Sequence, residues 1–352
     1  MKLVFIKHGL SVFLGRLPDT MPPFLTDPKE LFQWGTHQFP GYYTSPATEW
    51  EALLQGRGYL EHPHLEWLHL RGSDSGSFLQ GMITADVLNL KEGHSRPAFA
   101  LDSQGKILVY LRVFRSTRTE FLLGCPSGTA DLLLNHLLRF VIMEDVAVSK
   151  FLSMHMVLVF GTLANDIPSA LKLGTELAVF QGIWASQQAL AFVFPTDSWA
   201  EISAQLQIAH IAPFGWVAWN RYHIRALDPW FPLEVAPGTN PVIYQIQHAI
   251  SARKGCYIGQ ETVAMTRDRG RPPFQVARLM SDTNLSPATT LTFFHKGKSV
   301  GSSHSSVWDS QEGATLCLAT LKHHVIEDSP EELLDHEGRS WKIQVVKHRV
   351  ED

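Results

Sequence analysis

The chain has 352 residues, 45% of them hydrophobic, with a formal net charge of −4 and three cysteines. Its length suits two or three domains with separate cores, and its charge gives no electrostatic case for a nucleic-acid or membrane-surface partner. Cys125, Cys256 and Cys317 lie far apart, and no CxxC or spaced Cys/His pattern is present, so neither a disulfide framework nor a zinc site is indicated.

The start, "MKLVFIKHGLSVFLGRL", has its apolar run broken by Lys7 and His8 and lacks a small-residue cleavage site, so a signal peptide is not expected. "MVLVFGTLA" with its flanks is too short to span a bilayer. Together with the sparse cysteines this predicts a cytoplasmic protein. Residues 1–45, rich in proline, glycine and aromatics, show no persistent period and read as a variable extension.

Regular structure is expected from residue 66. "WLHLRG" alternates like a strand and "SGSFLQGMITADV" has helical spacing. "RPAFALD" and "KILVYLRVFR" form a hairpin around "SQG", where Asp102 serves the turn through its own backbone. "EFLLGCP" is a strand, "TADLLLNHLLRF" an amphipathic helix and "EDVAVSKF" a further strand. A related order follows: strand "HMVLVFG", helix "IPSALKLG", strands "ELAVFQG" and "QALAFVFP", then the serine-capped helix "SWAEISAQLQIA". Two such units predict an α+β protein with two subdomains of ferredoxin-like order. Beyond "RGRPPF", the short segments "QVARLM", "TTLTFF", "KSVGSSHSS", "ATLCLATLK" and "KIQVV" predict a small antiparallel β-barrel. The expected division is an extension (1–45), a first subdomain (46–150), a second (151–272) and a barrel (273–352).

The segment with most chemistry is "KGCYIGQETVAM". Gly255 and Gly259 bracket Cys256, Tyr257 and Ile258, and "QETVAM" reads as a helix start with Glu261 in its first turn. A thiol just ahead of a helix N-terminus, with Lys254 adding a cation, is favoured as thiolate. Local chemistry leaves two readings open: a reactive or metal-binding thiol, and a small buried residue in a tight turn. Cys125 at a strand end and Cys317 within an apolar strand read as core thiols. His62, His64, His295, His304, His323 and His324 give no convergent metal set, the adjacent pair being expected on opposite faces of a strand. Arg267, Arg269 and Arg271 form a basic cluster read as a solvated loop. No GxSxG, Walker loop or dinucleotide fingerprint occurs.

"KGCYIGQE" resembles the signature of the YgfZ-type folate-binding proteins, relatives of the glycine cleavage T-protein (aminomethyltransferase). "WLHLRGSDSGSFLQGMITADV", "ALDSQGKILVYLRVFR", "KSVGSSHSSVW" and "LCLATLK" resemble other parts of that family in the same order, over residues 65–350. The resemblance implies three domains in a ring around a channel for tetrahydrofolate, and a role in making or maintaining iron-sulfur enzymes, including those that modify tRNA. It carries the functional thiol onto Cys256, with Lys254, Gly255, Tyr257, Gly259, Gln260 and Glu261 matching the motif. Iron-sulfur proteins or their assembly machinery become the expected partners, with no direct nucleic-acid contact.

Departures accompany the likeness. Val109 stands where the aminomethyltransferases carry a carboxylate for the folate nitrogen chemistry, and a hydrocarbon can neither accept a proton nor stabilise a cation. Arg225 stands at a usual acid position and offers only donors to the donor edge of a pterin. Ile243 replaces another acid after Asn240 and Pro241, and Met265 replaces a common arginine. Glu234 and Asn240 remain as candidate cofactor contacts. Three functions are thus weighed: an iron-sulfur accessory protein acting through Cys256, a folate-dependent one-carbon transferase, and a binding or scaffold protein that has lost folate.

Overall fold

The computed structural model describes residues 28–34, 37–61, 65–160, 177–230, 234–246, 248–268, 272–285 and 290–346. The expected helix "IPSALKLG", the histidines His62 and His64, and Arg269 and Arg271 lie outside them.

The protein is a mixed α+β fold built on a ten-stranded sheet. Part of the expected irregular extension instead forms an antiparallel hairpin, β1 (Glu30–Trp34) with β2 (His37–Tyr42). Helix α1 (Pro46–Leu54) follows, where Ser45 Oγ accepts from the Thr48 N–H and Pro46 fits the first turn. Then come β3 (Gly58–Glu61), β4 (Leu65–Arg71), α2 (Ser75–Met82), β5 (His94–Leu101), β6 (Ile107–Thr117), β7 (Glu120–Pro126), α3 (Ala130–Leu138) and β8 (Ala147–Lys150). The next group is β9 (Met154–Phe160), β10 (Ala178–Trp184), β11 (Gln187–Pro195), α4 (Trp199–Ile208), the two-residue β12 (Ala212–Pro213) and α5 (Trp216–Arg225). Ser198 stands at the α4 cap position but makes no side-chain cap bond.

Sheet order is β12-β3-β9-β11-β10-β5-β6-β7-β4-β8. The two strand groups meet at one parallel register, Gln181 opposite His94. Alternation along the strands supplies two faces. Val157, Val159, Phe192 and Phe194 pack under Trp199, Ile202 and Leu206 of α4. Val109, Leu111 and Val113 pack with Phe78, Leu79 and Met82 of α2 and Leu133 and Leu137 of α3. Phe114, Leu158, Phe160 and Phe180 point the other way, into an aromatic core with Trp50 of α1 and Trp216 and Trp219 of α5. The extension hairpin adds Phe39, whose ring lies 5.3 Å from that of Trp216.

Helix α6 (Gln260–Asp268) leads to β13 (Phe274–Ser281), β14 (Leu291–His295), β15 (Lys298–Asp309), β16 (Ala314–Lys322), α7 (His323–Asp328), β17 (Leu333–Asp335) and β18 (Ser340–Val346). These six strands close into the expected barrel, in the order β13-β16-β15-β14-β17-β18. His323 and His324 begin the short helix α7 and are not the strand pair expected. Sheet, motif and barrel meet in one apolar hub, where Phe99 and Ile107 of the β5–β6 hairpin touch the set that holds Ile224, Ile243, Tyr257, Val263, Val307 and Leu316.

Candidate functional site

The motif loop is attached to the end of α2 before it reaches the cysteine. Thr84 donates its hydroxyl to the Ala249 carbonyl (2.5 Å) and accepts from the Phe99 N–H (2.9 Å). The Ser251 N–H donates to the Thr84 carbonyl (3.0 Å), and Ser251 Oγ accepts from the N–H groups of Arg253 and Lys254.

Lys254 is buried, and its ammonium donates to the carbonyls of Gln80 (2.5 Å), Ile83 (2.6 Å) and Ala85 (2.9 Å). An ammonium has three donors, and all three are used here. Its Nζ also lies 5.0 Å from the centre of the Tyr257 ring. Burial pushes the Lys254 pKa down to about 8, against the attraction of Asp86. The Ile258 N–H donates to the Gly81 carbonyl (3.2 Å). The motif therefore caps the C-terminal end of α2, where helical carbonyls lack internal partners. This corrects the expected role of Lys254: its charge serves the helix end, and it has no donor left for a thiolate.

Only one of the two motif glycines uses its conformational freedom. Gly259 has φ +77°, and a Cβ there would come within 2.6 Å of the Asp102 carbonyl and 2.8 Å of Gly105 Cα. Gly105, at φ +74°, would in turn drive a Cβ to 2.8 Å from Thr262 Cβ. The hairpin glycine and the motif glycine are two sides of one backbone contact, which explains why the two segments belong together. Asp102 makes the expected turn, its Oδ1 accepting from the N–H groups of Gln104 and Lys106. At Gly255, by contrast, φ is not in the left-handed region and a Cβ would meet nothing within 4 Å.

Tyr257 is buried in the hub, and its N–H donates to Gln260 Oε1 (3.3 Å) as the chain turns into α6. Cys256, between buried Lys254 and buried Tyr257, is exposed, as are Gly255, Glu261 and Met265. The reading of Cys256 as a small buried turn residue is thereby removed. Cys125 and Cys317 are buried as expected. Burial pushes the Cys125 thiol up to about 12 and raises that of Cys317 as well. Among the described residues no group of three or more His, Cys, Asp or Glu side chains is placed to hold a metal ion.

The other expected contacts lie between α5 and the barrel. Arg225 donates to Asp309 Oδ2 (2.5 Å) and pairs with Glu312 (3.3 Å). Arg221 binds the same Asp309 through Nε (3.0 Å) and Nη2 (2.6 Å), with its guanidinium 4.0 Å from the Trp50 ring. Burial raises the Asp309 pKa, but the bonds from Arg221 and Arg225 outweigh it and hold the carboxyl below its usual range. Glu234 is buried, with Oε1 accepting from Ser305 Oγ and Oε2 from the Trp230 N–H (2.9 Å). Burial lifts its pKa to about 8, so it is largely protonated at neutral pH. Nearby, Asn220 donates to the Ser306 carbonyl (2.7 Å), and buried His223 contacts Asn220 Oδ1 at 2.9 Å.

Asn240 caps the short turn Pro241–Ile243 by accepting from the Val242 N–H, and its Nδ2 donates to Thr266 of α6 (3.0 Å). Ile243 is buried in the hub and Val109 among hydrocarbon side chains beneath α2 and α3.

Comparison with known proteins agrees with this geometry. Residues 30–193 match the GCVT N-terminal domain. A tRNA-modifying protein YgfZ of Vibrio vulnificus is 24% identical over 302 residues, covering 82% of this chain and 91% of the relative. One of Cronobacter sakazakii is 28% identical over 225 residues, covering 57% and 64% respectively. The glycine cleavage system aminomethyltransferase T of Bartonella henselae superposes with a TM-score of 0.76 at 15% identity, covering 90% of this chain and 93% of that one. This chain is thus similar to YgfZ proteins over most of its length and shares the fold of the aminomethyltransferase.

The resemblance implies tetrahydrofolate as cofactor, and the residues at hand do not fit it. Val109 and Ile243 have no polar atom to offer, and both are packed in apolar clusters. Arg225 is committed to Asp309 and Glu312. Glu234 and Asn240, the two candidate contacts, have their side-chain groups engaged within the protein. Asp309, Arg221, Asn220, Ser305 and Thr84 escaped the reading of the sequence. Asp309 stands in the turn-like "WDSQEG", where an aspartate signals only a bend.

Proposed function

We propose that this chain is an accessory protein for iron-sulfur proteins, including enzymes that modify tRNA, and that it works in the cytoplasm through Cys256. The observation that carries the reading is the presentation of the thiol. Cys256 is exposed on a loop whose flanking residues are fixed by Lys254, Ile258 and Gly259, while the other two cysteines are buried. Such a loop holds the sulfur out to a partner without an ordering cost at the moment of contact. The name of the Vibrio and Cronobacter relatives supports tRNA modification as the process served.

In this role the sulfur is one donor, offered to an iron-sulfur client or its assembly machinery, and the partner supplies the remaining ligands. No direct contact with nucleic acid is required. Aminomethyl transfer is disfavoured, because Val109 lies among hydrocarbon side chains and cannot act on a folate nitrogen. The test is genetic. Removing the gene should lower the activity of an iron-sulfur tRNA-modifying enzyme, and the full chain supplied in trans should restore it. Unchanged activity in the deletion strain would overturn the proposal.

A further inference from the structure

The carboxylates buried at the centre of the molecule decide whether a reduced pterin can be received. Its amino group and adjacent ring N–H form a donor edge, which calls for a carboxylate with open lone pairs. Among the described residues five carboxylate side chains are buried: Glu49, Glu234, Asp309, Asp335 and Glu61, the last lying on β3, not at the α5–barrel junction, with Oε1 3.2 Å from His155 of β9. Glu49 accepts from the N–H groups of Tyr43 (2.6 Å), Thr44 (2.8 Å) and Gly215 (2.8 Å), tying the extension to the start of α5. Asp335 is taken up inside the barrel by Arg339 (2.7 Å) and the Trp341 indole (3.0 Å). Asp309 receives two arginines together with the Gln311 N–H (2.9 Å). Glu234 receives Ser305 and the Trp230 N–H.

We infer that this chain does not take tetrahydrofolate as a ligand: the junction of α5 with the barrel is a structural lock, closed by Arg225 and Arg221 on Asp309 and by Ser305 on Glu234. The lock joins residues far apart in sequence. Arg225 and Asp309 are separated by 84 positions, and Glu234 and Ser305 by 71. Arg278 of β13 adds a third tie, donating to the Arg225 carbonyl (2.9 Å). Opening any of these acceptors to a pterin would leave a buried guanidinium or hydroxyl unpaired, a cost that ligand binding would have to overcome. The remaining positions of the implied contact set, Val109 and Ile243, contribute hydrocarbon alone.

The experiment is calorimetric titration of the full-length chain with tetrahydrofolate under reducing conditions. A glycine cleavage aminomethyltransferase is titrated in parallel to certify the ligand. The expected result is no saturable heat up to millimolar ligand and an unchanged melting midpoint. Saturable one-to-one binding by the wild-type chain would overturn the inference. Loss of that binding in Glu234→Gln would further show that the Glu234 contact opens to the ligand. The inference makes no use of Cys256, so its failure and the failure of the cysteine reading are separate results.

Discussion

The motif loop and the α5–barrel junction are both dense in polar groups, yet they end differently. At the junction every strong donor and acceptor named is answered from within: Asp309 by Arg221 and Arg225, Glu234 by Ser305 and Trp230. In the loop the same economy holds for Lys254, Ile258 and Gln260, but it stops at Cys256, which faces solvent. Internal pairing marks the first region as structure. In the second, the pairing fixes the residues on either side of an exposed thiol.

Substitution at the junction should have the largest effect on stability. Asp309→Asn leaves two guanidinium groups facing a neutral amide and should cost about 3–5 kcal/mol in chemical denaturation. A variant within about 0.5 kcal/mol of wild type would show that the junction does not hold the barrel to α5. Lys254→Met strands three carbonyls at the end of α2 and should cost about 3 kcal/mol, with loss of accessory activity from the displaced loop. Gly259→Ala must place a Cβ against the Asp102 carbonyl at positive φ, for about 2 kcal/mol in the melting midpoint.

The smallest effect concerns pH. Glu234 has its folded pKa raised to about 8 from an ordinary 4.5, so the folded state binds the extra proton. Its contribution to stability is whole below pH ~4.5 and is lost as pH rises through about 8. Glu234→Gln keeps an acceptor for the Trp230 N–H and a partner for Ser305 without the titration. It should match wild type near pH 5 and become progressively more stable than wild type as pH rises toward 9. Parallel pH profiles for the two chains would contradict the assignment of a buried, protonated acid.

Much of this was legible in the chain. The alternating runs from "WLHLRG" to "EFLLGCP" and the five barrel segments became the strands they suggest, because alternation and turn residues are local signals. The motif was legible because loop and helix start are contiguous. The extension hairpin was not, since its stability comes from Phe39 against Trp216 and from Glu49 fixed to Gly215, partners far along the chain. The lock was invisible for the same reason. Arg225 read as a lost acid, and only the fold brings Asp309 to it across 84 residues. Lys254 read as an activating cation until the end of α2 came beneath it.

Replacing the chromosomal gene by a Cys256→Ser version, at matched protein level, tests the central claim most directly. Serine keeps the size and the exposure of the side chain and removes only the sulfur chemistry, so the melting midpoint should not move. The account predicts that the activity of an iron-sulfur tRNA-modifying enzyme falls to that of the deletion strain. Wild-type activity with serine at this position would contradict it.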